Sequence, residues 1–368
     1  MNIFYIANAR IPTEKAHGVQ IMKMCESFSN IGHSVTLLVP KRKTSITDNP
    51  FEYYVVKDIF SLRKIFTLDF VKYGKFGFII QSVTFAMTSF FILVRKKNAI
   101  FYSRDELPLL LLSFFKDKNS LVWEAHMPRK GIVTRILLQR LDRIVVISQG
   151  LKDFFISQGF SEKQITVAHD GVDLNQFEIS VTKKQARKKL YLPQNKKIVM
   201  YVGLLDRWKG VNTLLEASEL PEMKEVQVVI IGDGPMYKEY SDKYKNVIFK
   251  GFLPYRNLPQ NQRAADLLVI PNSKRSKVSN NYTSPLKVFT SMASNIPVVA
   301  SNIPSLKEVL NESNAYFAES DDPVSFAKVI THVFSDYDLA LIKAKKAATD
   351  VTYYSWDNRA ENIITAKK

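Results

Sequence analysis

The sequence predicts an α/β protein made of two doubly wound domains, and three observations predict it. Short, continuous apolar runs alternate with helical patterns along the chain. The alternation weakens once, in a polar and basic stretch from about Asn175 to Lys197 that carries "LPQNKK". The length of 368 residues also exceeds what one ordinary core holds and suits two domains. Continuous apolar strands set between helices are the pattern of a parallel sheet covered on both faces.

Taken in order, "NIFYIAN" reads as a first buried strand. A loop leads from it to a helical stretch near Val19–Ile31, and "HSVTLLVP" is the next strand. "AIFYSR", "LVWEAH", "RIVVIS" and "ITVAHD" follow, each with a helical pattern behind it. A second series begins at "KIVMYVG" and continues through "VQVVIIGDG", "VIFKGF", "DLLVIPN", "IPVVASN" and "AYFAE". A last helical pattern, "WDNRAENIITA", has no strand after it and is expected to pack back across the first domain. The expected division is 1–178, 179–352 and a C-terminal helix over 353–368. Ligands of such domains bind beyond the carboxyl ends of the strands, here expected in a central cleft that both sheets face.

The net charge of +17 calls for an anionic partner: nucleic acid, a membrane surface or a phosphorylated substrate. The basic residues fall in short clusters at Lys41, Arg95 and Lys183, which also suit plain solvated faces. The single cysteine, Cys25, cannot form an intramolecular disulfide and fits a small core residue in a reducing compartment. "MNIFYIANARIP" lacks the charged start and cleavage site of a secretory signal. The run Phe76 to Val94 is uncharged and closed by Arg95, Lys96 and Lys97. Its Gln81, Ser82, Thr84, Thr88 and Ser89 argue against a span, which leaves a buried or groove-lining helix or an interfacial one.

The loops carry the chemistry. His17-Gly18 precedes a helix, where a glycine admits close backbone approach of a ligand or simply makes a turn. In "GLLDRWKGVNTLLEA", Lys209 stands at the start of a helical pattern, where a cation is disfavoured. It therefore faces a phosphate or else solvent, with Arg207 as a second cation nearby. Ser284-Pro285-Leu286-Lys287 places a hydroxyl and a proline at a helix start, which is either a well-capped helix or an anion site. Brought together, three helix starts and two lysines would make a cradle for a diphosphate. Glu124 and His126 share one direction at the end of a strand, and the histidine either bonds a substrate hydroxyl or caps a loop. His33 and His169 read as structural. "GDGP" makes a tight turn with no chemistry assigned. A Cys/His ligand cluster, a Walker lysine motif and a nucleophile elbow are missing from the sequence, and the Asp-x-Asp at Asp336–Asp338 stands alone.

These residues together resemble the retaining glycosyltransferases of family 4, also called group 1 glycosyltransferases, over nearly the whole chain. The resemblance rests on "HGVQIMKMCESFSNIGHSVTLL", "LVWEAH", "RIVVISQG", "VAHDGVD", "YVGLLDRWKGVNTLLEA", "GDGP", "ADLLVIPN" and "SPLKVFTSMASNIPVVASNIPSLKEVL" in that order. It implies the GT-B fold, with two Rossmann-like domains, the acceptor in the first and a nucleotide sugar in the second. It implies metal-independent transfer of a hexose-type sugar from a nucleotide diphosphate donor with retention of configuration, and no cofactor beyond that co-substrate. By position, His126 and Lys209 would be catalytic, with His126 beside the transferred sugar. Gly18, Gly203, Arg207, Lys209, Phe252, Ser284, Pro285, Leu286, Lys287 and Thr290 would bind the donor, with Phe252 at the nucleobase. The family's two glutamates are replaced here by Tyr282 and Thr290, its arginine by Leu204, and a common glycine by Asn295.

The leading expectation is a cytoplasmic sugar transferase that touches the inner face of an anionic membrane and acts on a glycan or lipid-linked acceptor in polysaccharide or glycolipid synthesis. The alternative is a non-catalytic subunit, degenerate at Thr290, that scaffolds a partner glycosyltransferase. Nucleic-acid binding is a third reading of the charge, which no recognised motif supports.

Overall fold

A computed structural model describes residues 1–366. The chain divides into two compact units. One contains Met1–His169 together with the chain from Trp356 onward, and the other contains Asp170–Ser355.

The first unit is built on a seven-stranded sheet in the order β3-β2-β1-β4-β5-β6-β7. Its strands are β1 (Asn2–Ile6), β2 (Ser34–Pro40), β3 (Ser61–Ile65), β4 (Ala99–Ser103), β5 (Leu121–Ala125), β6 (Ile144–Val146) and β7 (Ile165–Val167). The second unit has six strands in the order β10-β9-β8-β11-β12-β13. These are β8 (Lys197–Val202), β9 (Val226–Ile231), β10 (Ile248–Phe249), β11 (Leu267–Ile270), β12 (Val298–Ser301) and β13 (Tyr316–Ala318). All ladders in both sheets are parallel.

Strand composition explains this arrangement. In the second sheet Ile198, Met200, Val229, Ile231, Leu268 and Ile270 belong to one buried cluster. Their neighbours Val199, Tyr201, Val228, Ile230, Leu267 and Val269 belong to the other. Successive side chains point to opposite faces, so a continuous apolar run is what a sheet covered on both sides requires. The strand absent from the sequence reading is β3, "SLRKI". It lies at the sheet edge and is mostly exposed, so its composition is polar and carries no core signal.

The division between units falls at His169/Asp170 and Ser355/Trp356, where the sequence suggested 178/179 and 352/353. The difference has local causes. The Asp170 N–H donates to Ser284 Oγ at 3.0 Å, and Val172 forms a parallel bridge with Ser355. Both ends of that segment are thereby tied into the second unit. The C-terminal helix, Trp356–Thr365, packs on the first unit against helix Ala16–Asn30. There Arg143 Nη1 donates to Ile363 O at 2.7 Å, and Asn30 Nδ2 donates to Asp357 Oδ1 at 3.2 Å.

In both sheets the strand order reverses beside the first strand, between β1 and β4 and between β8 and β11. Loops diverge at such points and leave a crevice at the carboxyl ends of the strands. The long apolar run anticipated from Phe76 to Val94 is the helix Gly74–Leu93, and it is only partly buried.

Candidate functional site: two crevices at the strand ends

In the first unit the crevice beside β1 and β4 is a cavity of about 400 Å³, lined among others by Asn8, His17, Arg104, Asp105, His126 and Arg129. His126, which lines it, is bonded to a buried polar network centred on Glu124, which is fully enclosed at the end of β5. Glu124 Oε1 accepts from Gln20 Nε2 at 2.6 Å and from Arg359 Nη2 at 2.8 Å. Tyr102 donates its hydroxyl proton to Glu124 Oε2. His126 Nε2 lies 2.6 Å from Glu124 Oε1.

Burial works against the charge on Glu124, yet Arg359 and His126 hold its carboxyl well below the usual carboxylate range. Burial and then Arg104 push the His126 imidazole down to about 4, against the attraction of Glu124. His126 is therefore neutral near pH 7. A carboxylate only accepts, so Nε2 carries the proton and Nδ1 keeps its lone pair. His17 is likewise pushed down to about 4, by burial and Arg104. Two neutral imidazoles beside the guanidinium groups of Arg104 and Arg129 and the carboxyl groups of Asp105 and Glu106 give a polar lining suited to hydroxyl groups.

Gly18 sits in the first turn of helix Ala16–Asn30. Its N–H donates to Lys15 O at 2.9 Å, and a Cβ there would overlap the Tyr54 hydroxyl. That hydroxyl bridges Thr13, accepting from its N–H at 2.6 Å and donating to its carbonyl at 2.9 Å. Close packing against Tyr54 thus supplies a structural reason for this glycine.

In the second unit the loop after β8 carries Gly203, with φ 152°, and Gly210, with φ 69°. Lys209 lies on the short 3-10 turn Arg207–Lys209 before Gly210, not on the helix Val211–Ala217 itself. A Cβ on Gly203 would come within 3.3 Å of Lys287 Nζ, so its absence leaves room for that ammonium. A Cβ on Gly210 would overlap the carbonyl oxygen of Pro271, directly after β11. The "GDGP" loop is the partner surface of this turn: Leu205 N donates to Asp233 O at 2.9 Å, and Met236 N to Leu205 O at 3.2 Å. Gly210→Ala places an L side chain in the left-handed region and against a carbonyl, and should cost at least about 2 kcal/mol. Denaturant midpoints of the two proteins measure this.

The two lysines are the electrostatic feature of the crevice. Lys209 Nζ stands 3.6 Å from the centre of the Trp208 ring, and burial lowers its pKa to about 8, partly offset by Asp206. Burial, with the charge of Lys209 next, depresses Lys287 well below the ordinary lysine value. Lys287 donates to the Tyr201 hydroxyl at 3.0 Å and lies over that ring. Among the described residues neither lysine has a carboxylate within salt-bridge distance. A buried lysine whose ammonium also disfavours the charge on its neighbour leaves the crevice electrostatically ready for an anion.

The helix bearing Lys287 runs Leu286–Ala293, with Pro285 at its N-cap position and no side-chain cap. The sequence suggested Ser284 as a capping hydroxyl and Pro285 as the first helical residue. Instead Ser284 Oγ receives the Asp170 N–H, so the helix start has no side-chain cap; the Val288 N–H donates to Pro285 O at 2.9 Å, and the amides of Leu286 and Lys287 precede it. Thr290 is buried on this helix, and its hydroxyl donates back to Lys287 O at 3.3 Å. Asn295 follows the helix with φ 54°, filling a left-handed position that a glycine takes most easily. Arg207 is exposed, and Phe252 is exposed after Gly251, a residue with φ 67°. Asp336 caps helix Tyr337–Asp350 by accepting from Leu339 N at 3.1 Å. The basic stretch at Lys183 is partly structural, since Lys183 and Arg187 both pair with Asp266.

The sequence reading did not find the Glu124 network. Gln20, Tyr102, Arg104 and Arg359 are scattered along the chain, and Arg359 alone gave no motif. The Lys287–Tyr201 contact was equally hidden, because Tyr201 reads as one more apolar strand residue.

Residues 182–350 match the family model of the glycosyl transferases group 1. An uncharacterized glycosyltransferase of Methanocaldococcus jannaschii is 27% identical over 240 residues, covering 61% of this chain and 60% of its own. The D-inositol 3-phosphate glycosyltransferase of Corynebacterium urealyticum is 24% identical over 243 residues, covering 60% of this chain and 55% of its own. The chain thus spans only 55 to 60% of the length of these curated relatives. Among solved structures, Anabaena HepE in complex with UDP superposes with a TM-score of 0.75 at 15% identity, over 99% of both chains. A glycosyltransferase from Rickettsia africae does so at 0.76 and 16% identity, over 100% of this chain and 97% of its own. The chain has the GT-B fold of these glycosyltransferases, and its second domain matches the group 1 glycosyl transferases.

Proposed function

We propose that this protein is a retaining glycosyltransferase that moves a sugar from a nucleotide diphosphate sugar to a glycan or lipid-linked acceptor at the inner face of the cytoplasmic membrane. The observation that carries the reading is the pair Lys209 and Lys287 beside the uncapped helix start at Leu286. Departure of the nucleotide diphosphate places negative charge on its oxygens as the sugar bond breaks. Two ammonium groups and the uncapped helix start stabilise that charge in a crevice whose lysines are already desolvated. These cations take the part that a divalent ion plays at other diphosphate sites. HepE, which binds UDP, and the matched family favour a nucleotide sugar as donor. In the first unit's cavity, neutral His126, fixed by Glu124, is suited to bonding a sugar hydroxyl.

Incubating purified protein with UDP, GDP, ADP and TDP sugars, with and without a chelator, tests this. Release of sugar or its transfer with retained configuration, unaffected by chelator, is the expected result. No turnover and no thermal stabilisation by any of these donors would sink the reading.

The pKa of Lys209 adds a pH dependence. In the free protein its charge is lost as pH rises through about 8. A bound diphosphate favours the charged form, so donor affinity should weaken between about pH 7 and about pH 9, by up to about tenfold per pH unit above the free-state pKa. Calorimetric titration with the donor nucleotide measures the trend, and an affinity flat across that range would contradict the assignment.

A further inference from the structure

We infer that the outer face of helix Gly74–Leu93 is a membrane-docking surface for anionic lipid. This deepens the proposed function only by naming the contact surface, and it rests on the polarity of the helix.

That polarity differs from that of an ordinary surface helix, because large apolar side chains face out as well as in. The residues it buries are Gly77, Gln81, Phe85, Ala86, Ser89 and Leu93. Gln81 is fully enclosed and donates through Nε2 to Asn8 Oδ1 at 2.8 Å. Thr67 Oγ1 donates to Gln81 O at 2.9 Å, and Asn8 Nδ2 donates to Ser82 Oγ at 3.0 Å. The face turned outward carries Phe76, Ile79, Val83, Met87 and Phe91 at helical spacing, exposed by 73, 58, 46, 41 and 66%. Exposed Phe114 and Phe115 continue this surface, with Phe115 packed against Phe90 at 5.2 Å between ring centres. A soluble helix turns a polar face to water, so an exposed apolar stripe of this length marks contact with an apolar phase.

Charge complementarity selects the occupant. Lys72 and Lys75 flank the start of the stripe, and Arg95, Lys96 and Lys97 flank its end; all five are exposed. The one acid from Phe66 to Lys97 is Asp69, and Arg42 Nε binds it at 3.2 Å. Apolar aromatics rimmed by lysine and arginine match an acyl boundary beneath anionic headgroups. A full span is ruled out by the buried polar side of the helix, which is bonded to the β1 loop. The helix lies in the interfacial plane instead. Phe78, Ser82 and Phe85 of this helix line the cavity that His126 also lines. A lipid-linked acceptor would therefore reach that cavity from the surface on which the protein rests.

Co-sedimentation of the full chain with phosphatidylcholine vesicles, with and without phosphatidylglycerol, tests the surface. The wild-type protein should sediment with the anionic vesicles and much less with the zwitterionic ones. The pair Phe76→Ser and Phe91→Ser, which touches neither cavity nor core, should keep its thermal midpoint and lose anionic-vesicle binding at least tenfold. The pair Lys96→Gln and Lys97→Gln should weaken it by about fivefold for each charge removed. Wild-type protein that stays in the supernatant with both vesicles overturns the proposal, as does a serine variant that binds like wild type. A wild-type dimer that the serine variant converts to monomer, with no vesicle binding, also overturns it and assigns the face to a second copy. Donor hydrolysis is read separately: a protein that hydrolyses donor but ignores anionic vesicles refutes this surface alone.

Discussion

Replacing Lys209 by alanine is expected to lower kcat/KM for sugar transfer by about a thousandfold, about 4 kcal/mol of transition-state stabilisation. The loss should fall mainly on kcat, because charge on the departing diphosphate is greatest when the sugar bond is breaking. Lys287 makes the variant more informative. Its own depressed pKa is due first to burial and next to Lys209, so removing Lys209 lets Lys287 hold its proton to higher pH. Residual donor binding in Lys209→Ala should therefore persist further into the alkaline range than in wild type. For the same reason, losses in Lys209→Ala and Lys287→Ala should not add in the double variant. Full transfer activity in Lys209→Ala would remove the diphosphate assignment altogether.

The largest expected effect on stability is elsewhere, at the Glu124 network. Arg359→Met keeps most of the side-chain volume but leaves Glu124 enclosed with its principal countercharge gone. Breaking a buried pair on one side costs about 3–5 kcal/mol, far more than the net worth of the pair itself. Urea denaturation should show that loss. The variant also removes the Arg359 Nε bond to His169 O, at 2.8 Å, and so loosens the C-terminal helix on the first domain. With less holding its charge, the Glu124 carboxyl should titrate at higher pH. The folded-state pKa of Glu124 is depressed, so its stabilising contribution is present above the unfolded carboxylate pKa and fades as pH falls toward the folded value. The variant should accordingly lose less stability on acidification than wild type does. A second variant, Glu124→Gln with Arg359→Met, should recover part of the loss, since the isolated charge is then gone.

Much of the fold was legible because parallel sheets impose a simple code. Runs such as "KIVMYV" and "VQVVII" must bury both faces, so composition alone marks them as strands and their order implies two domains. The edge strand "SLRKI" escapes that code, because an exposed strand need not be apolar. The glycines, prolines and lysines of the loops were legible as well. The cation at Lys209, disfavoured where a helical pattern starts, follows from residue type and local spacing.

The sequence by itself determined the two α/β domains, the position of their strand-end loops and the cationic character of the second domain's crevice. It also left helix Gly74–Leu93 open between core and interface, for a physical reason. Its hydropathy is high all round, and hydropathy does not say which side faces the protein. Only the tertiary structure decided that Gln81 points inward to Asn8 while Phe76 and Phe91 face out. It alone gathered Gln20, Tyr102 and Arg359 around Glu124 and His126, since contacts between residues distant in the chain, 235 positions for Arg359, leave no local trace. It also turned Ser284 away from the cap that its spacing suggests, because the Asp170 amide, brought there by the chain's return, competes for the same hydroxyl.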